Sequence, residues 1–386
     1  MRHDCFALVG RAVVVVALFL MTSSGCEKVP TFQELTQQGQ TTPAAATSTE
    51  TPKQSAAQQP APVAQVAPVV EDPQKVISDF KSKPPHERSD TDLARLGGLA
   101  GGQDAFSQMD LNGSSVTDEG VKHLAKLTTL ESISLSGTKI TNVGLSAIEG
   151  LPNITSINLA GCSVTLPMMQ SLSKFEKLEV LSLESAKVSD NELPPLANMA
   201  LLKELNLNYC PITDNGFKVL GTLKSLEVLK VAYTSINGSG MQFMKRKKTE
   251  AGLRVLDAKK TRFGEQGLQF LKGVETLEEL DIGQAEVTDR SLAPNLKGIG
   301  HLRKLNLSFN TISDQGTQGL GSIKSLEELY LVNCQHVGDK TLGFLKASKE
   351  LRTLDVNGCG GVTTQGAQLL KKFLPNCEIR FAGGKL

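Results

Sequence analysis

From Phe106 to the C-terminus the chain repeats one pattern of apolar and polar positions. Apolar residues recur as L-x-x-L-x-L, each set beginning at Phe106, Leu130, Ile154, Leu178, Leu202, Leu226, Leu253, Leu277, Leu302, Leu326 or Leu351. Neighbouring sets lie 24 or 25 residues apart, except Leu226 and Leu253, which are 27 apart. In the unit from Leu130, the alternation predicts a short strand. Leu130, Ile133 and Leu135 point inward, and Ser132, Ser134 and Ser136 face the other way. The second half of each unit reads V/I-T/S-D-x-G-L-x-x-L, as in Val116-Thr117-Asp118-Glu119-Gly120-Val121 and Ile212-Thr213-Asp214-Asn215-Gly216-Phe217. Thr or Ser suits a helix N-cap, and the Asp beside it complements the helix dipole. Each of about eleven units is therefore expected to pair one strand with one short helix. Such units stack into a solenoid of the α/β class, with a curved parallel sheet on the concave side and helices on the convex side.

Two further columns follow from the period. Small residues recur at the turn after the strand: Ser114, Thr138, Cys162, Ala186, Cys210, Thr234, Thr261, Ala285, Asn310, Cys334 and Cys359. A small polar group there is expected to hydrogen-bond backbone amides in a buried turn. Gly120, Gly144, Gly216, Gly240, Gly267, Gly316 and Gly366 recur in the first helical turn, where helix propensity disfavours them. Close approach of the neighbouring repeat is the expected reason. The whole pattern resembles the cysteine-containing subclass of leucine-rich repeats, with its C-x-x-I-T-D-x-G-L spacing, over about residues 106–381. That subclass includes the repeat halves of F-box ubiquitin-ligase adaptors and many bacterial repeat proteins. Most units here place one residue, not two, between the Cys position and the Ile or Val; Cys334 and Cys359 keep the longer spacing. Leu166-Pro167 replaces D-x in one unit, and Pro194-Pro195 interrupts another.

The N-terminal text is of another kind. Arg2 and Arg11 precede the apolar run Ala12–Met21, which is shorter than the roughly 20 residues needed to span a bilayer. Thr22-Ser23-Ser24-Gly25 then leads directly to Cys26. Residues 1–25 read as a secretion signal. The segment resembles a bacterial lipoprotein signal, which implies lipidation of Cys26 and a membrane-anchored place in the cell envelope, periplasmic or surface-facing. Ordinary secretion, with Cys26 a bystander, is the other reading. Residues 26–72, rich in Gln, Ala, Pro and Thr, have no apolar period and are expected to form a disordered tether. Its reach as a flexible chain is roughly 35–40 Å. Residues 73–105 are assigned to an N-terminal cap, because a terminal repeat exposes an apolar face. Asp72-Pro73 can start a helix with Val76 and Phe80 on one side. Residues 106–386 form the repeat domain, closed by a C-terminal cap strand.

Composition narrows the function classes. There are 41 basic and 40 acidic residues, and outside residues 1–25 the two signs are equal in number. A balanced chain has no electrostatic footprint for nucleic acid. The one basic run, Lys245–Lys248, falls at the insertion and reads as a solvated loop. The Asp column (Asp118, Asp190, Asp214, Asp289, Asp314, Asp339) supplies one carboxylate per layer, too few for calcium, and helix-start stabilisation accounts for it. No zinc-like cysteine spacing, convergent triad or phosphate loop is found. No metal, cofactor or catalytic activity is expected. Cys334 and Cys359 occupy adjacent layers and could bridge in an oxidising compartment; buried thiols are the alternative.

The concave face carries the functional reading. Its N-terminal half is small and polar, through Ser132, Ser134, Ser136, Ser156, Asn158 and Ala160. Its C-terminal half holds all three tyrosines, Tyr209, Tyr233 and Tyr330, with Phe309, Lys230, Asp257, Lys259, Lys260 and Asp281. Tyr209 and Tyr233 hold the same place in consecutive units, so about 5 Å should separate them. These groups are expected to form one strip. Exposed aromatics flanked by charge match protein-binding hot spots. The expected function is an envelope-anchored module recognising a macromolecule, a protein before other classes. A structural or self-associating envelope spacer is the competing reading. An adaptor resembling the F-box repeat half is a third, and the export signal runs against it.

Overall fold

The computed structural model describes residues 71–99, 105–247, 249, 251–295 and 301–386. The signal, the Cys26 anchor and nearly all of the tether lie outside the described residues.

Among the described residues, thirteen strands form one sheet in chain order. The first twelve, from Gln108–Asp110 to Glu378–Phe381, are parallel, and Gly384–Lys385 turns back antiparallel. Strands of the repeats are three residues long, and their register never slips: Ile133 pairs with Ile157, Leu205 with Leu229, and Leu329 with Leu354. The middle residue of each is buried, so the Leu/Ile positions make one continuous core. Strands stack about 4.8 Å apart, whereas a helix with side chains is about 10 Å across. The helical side must splay, which puts the sheet on the inside of the curve. Helical segments are accordingly short, such as Asp118–Val121 and Asp314–Thr317. Pro194-Pro195 leaves only a 3₁₀ segment, Pro194–Asn198. Leu166-Pro167 instead opens the helix Leu166–Leu172, where a missing N–H is harmless.

The recurrent aspartate does more than favour its own helix. Its carboxylate is hydrogen-bonded by the next repeat. Thr141 donates its N–H (2.8 Å) and its hydroxyl (2.6 Å) to Asp118. Thr213 does the same to Asp190, Ser313 to Asp289 and Thr363 to Asp339. Where Asn237 or Gly338 replaces the hydroxyl residue, Asp214 and Asp314 accept amides of the following helix start directly. The recurrent glycine lies under this carboxylate. A Cβ at Gly316 would lie 2.2 Å from Asp289 Oδ1, and one at Gly366 2.0 Å from Asp339 Oδ1. Gly240 and Gly267 meet the rings of Phe217 and Phe263 instead.

The cap is a concealed half-repeat. Helices α1 (Pro73–Ser82) and α2 (Asp90–Gly97) cover the first core layer with Val76, Ile77, Phe80, Leu93 and Leu96. Asp72 caps α1 by accepting from Gln74 N, 3.0 Å. Arg88-Ser89-Asp90-Thr91-Asp92-Leu93 aligns with the helix half of a unit, and Asp90 accepts from Thr117 as the later aspartates accept from their successors. Arg88 takes the Val/Ile place, and its guanidinium donates to Asp110 O on the open edge strand. Asp92 stands at the glycine place, as Glu192 does in a later unit, and each accepts from the N–H and hydroxyl of the serine three residues before it. At the other end the antiparallel hairpin closes the core with Ile379 and Phe381.

The turn column is buried as expected, apart from the half-buried Thr234, but its chemistry differs. The thiols donate to carbonyls rather than accept from amides: Cys162 to Leu135 O (3.1 Å), Cys210 to Leu183 O (3.1 Å), Cys334 to Leu307 O (3.3 Å) and Cys359 to Leu331 O (3.0 Å). Asn310 serves both ways, accepting from Ala285 and Val287 amides and donating to Ile282 O, and Thr261 does so within its own unit, donating to Ala258 O and accepting from Phe263 N. Cys334 and Cys359 are free thiols, and burial pushes them up to about 11 and about 12. At the insertion, Arg246 is not simply solvated. Its guanidinium donates to Gly221 O, 2.8 Å, and its backbone bridges to Val274. Lys248 lies outside the described residues.

Gly316→Ala separates the two roles of the glycine column. Helix propensity alone would make it stabilising by up to about 1 kcal/mol. The clash with Asp289 reverses the sign, and a loss of about 1–3 kcal/mol is expected in chemical denaturation.

Candidate functional site

Each strand ends in a four-residue turn whose third residue is left-handed. Gly113, Gly137 and Gly161 hold this place in the first three units, with φ of 65°, 68° and 71°. In later units it is Ser185, Tyr209, Tyr233, Lys260, Gln284, Phe309 and Asn333, with φ between 53° and 61°, before Gly358 returns at 73°. The conformation is imposed from both sides. Tyr209 N donates to Ala232 O of the next unit, and Cys210 N closes the turn on Leu207 O. For a residue with a Cβ, the left-handed region costs roughly 1–2 kcal/mol. The side chain it carries is thrown outward, onto the rim where sheet meets turn.

There the aromatic side chains stack. The Tyr209 and Tyr233 rings lie 4.2 Å apart at 20°, and Lys260 Nζ sits 4.9 Å from the Tyr233 ring centre on its other side. The hydrogen bond with Tyr209, then Lys260, hold the Tyr233 phenol below its ordinary range. Tyr209 is 49% exposed and Phe309 56%, so neither is spent on the core. Phe309 stands one unit past Gln284, and a rim groove of 650 Å³ opens between Lys260 and Phe309.

Four of the other five candidate residues, Lys230, Asp257, Asp281 and Tyr330, lie on the sheet itself, and Lys259 stands in the turn after Asp257. Lys230, Asp257, Asp281, Asn306 and Tyr330 follow one another in register, the third residue of each strand. Lys230 pairs with Glu204 at 2.6 Å and Lys259 with Asp257 at 3.2 Å. Burial first, with the charge of Asp257 adding, holds the Asp281 carboxyl above its ordinary range. Tyr330 donates its hydroxyl to Glu328, and burial and that bond push the phenol up to about 12. Asp257, Asp281 and Tyr330 line a hollow of 270 Å³. The nine residues thus do not form the single strip expected. Tyr209, Tyr233, Lys260 and Phe309 belong to the rim; Lys230, Asp257, Asp281 and Tyr330 belong to the sheet, and Lys259, in the turn, pairs back to Asp257. The turn separates the two sets, because it ends the strand alternation that would have kept them on one face.

One column was overlooked in the sequence. Immediately before each strand, Glu179, Lys203, Glu227, Arg254, Glu278, Arg303, Glu327 and Arg352 alternate in sign. They pair across units: Lys203 with Glu179 at 2.9 Å, Arg254 with Glu278 at 2.9 Å, Arg303 with Glu327 at 2.8 Å. A sign change every 24 to 27 residues is visible in the sequence once the units are aligned. These exposed pairs contribute little individually. They leave the opposite rim electrically neutral. Among the described residues no cluster of His, Cys, Asp and Glu could hold a metal ion, and no helix is long and apolar enough to cross a membrane.

Phe309→Gly tests the conformational cost of the rim. Phe309 has no stacked ring beside it, so glycine should relieve φ and raise stability by up to about 1 kcal/mol. A fall in the denaturation midpoint would show that the ring supports the fold.

Comparison with known proteins agrees with this architecture. A family described as "Leucine-rich repeat region" matches residues 153–376, and one described as "Leucine Rich repeat" matches residues 126–148. No curated protein matches the chain. Among solved structures, an internalin from Listeria monocytogenes is similar with a TM-score of 0.54 and 23% identity, covering 76% of each chain. A second, internalin C2 of the same organism, has a TM-score of 0.41 and 19% identity over 66% of this chain and 96% of that one. The first likeness bears on the fold alone. With a family match over more than half its length, an unbroken parallel sheet and one strand–turn–helix unit per period, the chain belongs to the leucine-rich repeat family.

Proposed function

We propose that the protein is an exported recognition module, held at a bacterial cell envelope by lipid on Cys26, that binds a protein partner through its rim and concave sheet. Leucine-rich repeat proteins generally mediate protein–protein recognition, and the fold is a scaffold for binding. The observation that carries the reading is the Tyr209–Tyr233–Lys260 stack. It places large exposed rings at positions where glycine is the easier residue. The core does not use them. Rigid aromatic surface at low entropy cost is what interface anchors supply. The Pro- and Gln-rich text of residues 27–72 is suited to hold such a head away from a membrane.

Cys26→Ser is expected to abolish incorporation of a tagged fatty acid and to move the protein from the membrane to the soluble fraction. Equal label and equal membrane retention would refute the anchor. For the binding face, the partner is first identified by crosslinking in native envelopes. Tyr209→Ala with Tyr233→Ala should then weaken it at least tenfold, with stability changed by no more than about 1 kcal/mol. The convex pair Lys218→Ala with Gln269→Ala, both exposed, should do neither. Unchanged affinity in the tyrosine pair would remove the rim from the site.

A further inference from the structure

We propose that the rim groove over Gln284 receives an aromatic side chain of the partner protein, an inference that rests on the recognition reading above. The left-handed column places one side chain per unit, about 4.8 Å apart. Tyr209, Tyr233 and Lys260 fill three consecutive places and are in contact, at 4.2 Å and 4.9 Å. The next place holds Gln284, an exposed and flexible amide, and the one after holds Phe309. Lys260 and Phe309 therefore stand two steps apart, about 10 Å, which is twice a stacking distance. The stack has one rung missing. The 650 Å³ groove lies at that rung, walled by Lys260 and Phe309, with Arg262, Glu286 and Thr311 at its outer edge.

The two walls select the occupant. Phe309 offers a π face and Lys260 a cation, and an aromatic ring satisfies both, by stacking on one side and by cation–π contact on the other. A guanidinium or ammonium would stack on Phe309 but meet the like charge of Lys260. An aliphatic group would gain from one wall only. A nucleobase is also flat, but its phosphate needs a basic track. Arg262 faces Glu286 at 3.9 Å, and Glu184 and Asp257 lie beside the tyrosines and lysines, so no such track exists here. The edge groups Arg262, Glu286 and Thr311 are suited to the amides and carbonyls of a peptide backbone.

The test uses the full chain and N-acetyl-L-tryptophan amide. The chain contains no tryptophan, so the fluorescence of the probe reports binding directly. Saturable binding on the order of a millimolar is expected for a single side chain, with competition by the tyrosine analogue and not by the leucine analogue. Phe309→Ala should weaken the probe about tenfold. Gln284→Tyr places a ring in the missing rung, in the backbone conformation that Tyr209 and Tyr233 already adopt. It should abolish probe binding and leave the melting temperature unchanged. Probe binding indifferent to both substitutions, or tighter binding of adenosine monophosphate than of the probe, overturns the proposal. The crosslinked partner separates this from the broader reading. If Gln284→Tyr retains the partner that the tyrosine pair loses, the groove fails and the recognition face stands. If the chain binds the probe through this groove yet crosslinks to no protein, the aromatic site stands and protein recognition fails.

Discussion

The bond between an aspartate of one repeat and the helix cap of the next, seen in Asp118 with Thr141 and Asp289 with Ser313, fixes how most units sit on their neighbours. A hydrogen bond to a charged group contributes about 1.5–3 kcal/mol, and in a solenoid such terms add up over the interfaces that carry the aspartate. The bond also dictates sequence around it. A glycine lies beneath the carboxylate of Asp118, Asp289 and Asp339, and a hydroxyl or a bare amide faces it; at Asp314 the hydroxyl of Thr341 stands in the glycine place and bonds the carboxylate itself. The cap obeys the same rule through Asp90 and Thr117, so the first true repeat meets a surface it already recognises. The clamp recurs at Asp90, Asp118, Asp190, Asp214, Asp289, Asp314 and Asp339, and the strand ladder carries the register through the units that lack it, so side chains a period apart become neighbours in space.

The candidate site is a consequence of that register acting on a strained turn. The turn after each strand needs a left-handed residue so that its amide can reach the next unit while the chain leaves the sheet. Any side chain at that place is directed to the rim. Glycine fills it at the N-terminal end, and tyrosine, lysine and phenylalanine fill it further on. Rings at strand spacing then have one arrangement open to them, the offset stack that Tyr209 and Tyr233 adopt. The backbone cost of the turn is met by the repeat as a whole, and the exposed rings remain available to a partner.

Charge plays a quieter part. The carboxylates and ammonium groups of the sheet pair with one another, as Lys230 with Glu204 and Lys259 with Asp257. The column before the strands alternates in sign through most of its length. Paired exposed charges add little stability and project little field. The recognition proposed for this surface would therefore depend more on shape and stacking than on long-range steering.

The sequence by itself determined the solenoid, the inward Leu and Ile positions and the strand-then-helix order. A period of 24 to 27 residues leaves one way to bury that many apolar positions. It also determined that Tyr209 and Tyr233 are neighbours, since both fall at one place in consecutive units. It showed the glycine column but not its cause, because the carboxylate above Gly316 belongs to Asp289, a whole repeat away. The half-repeat at Arg88–Leu93 was hidden by the arginine and the second aspartate, which stand at the Val/Ile and glycine places. The division of the nine site residues into rim and sheet also required the tertiary structure. Alternation along a strand is a local rule and holds through Tyr330 or Lys230. It ends at the left-handed turn, where inter-repeat hydrogen bonds decide which way Tyr209 and Phe309 point.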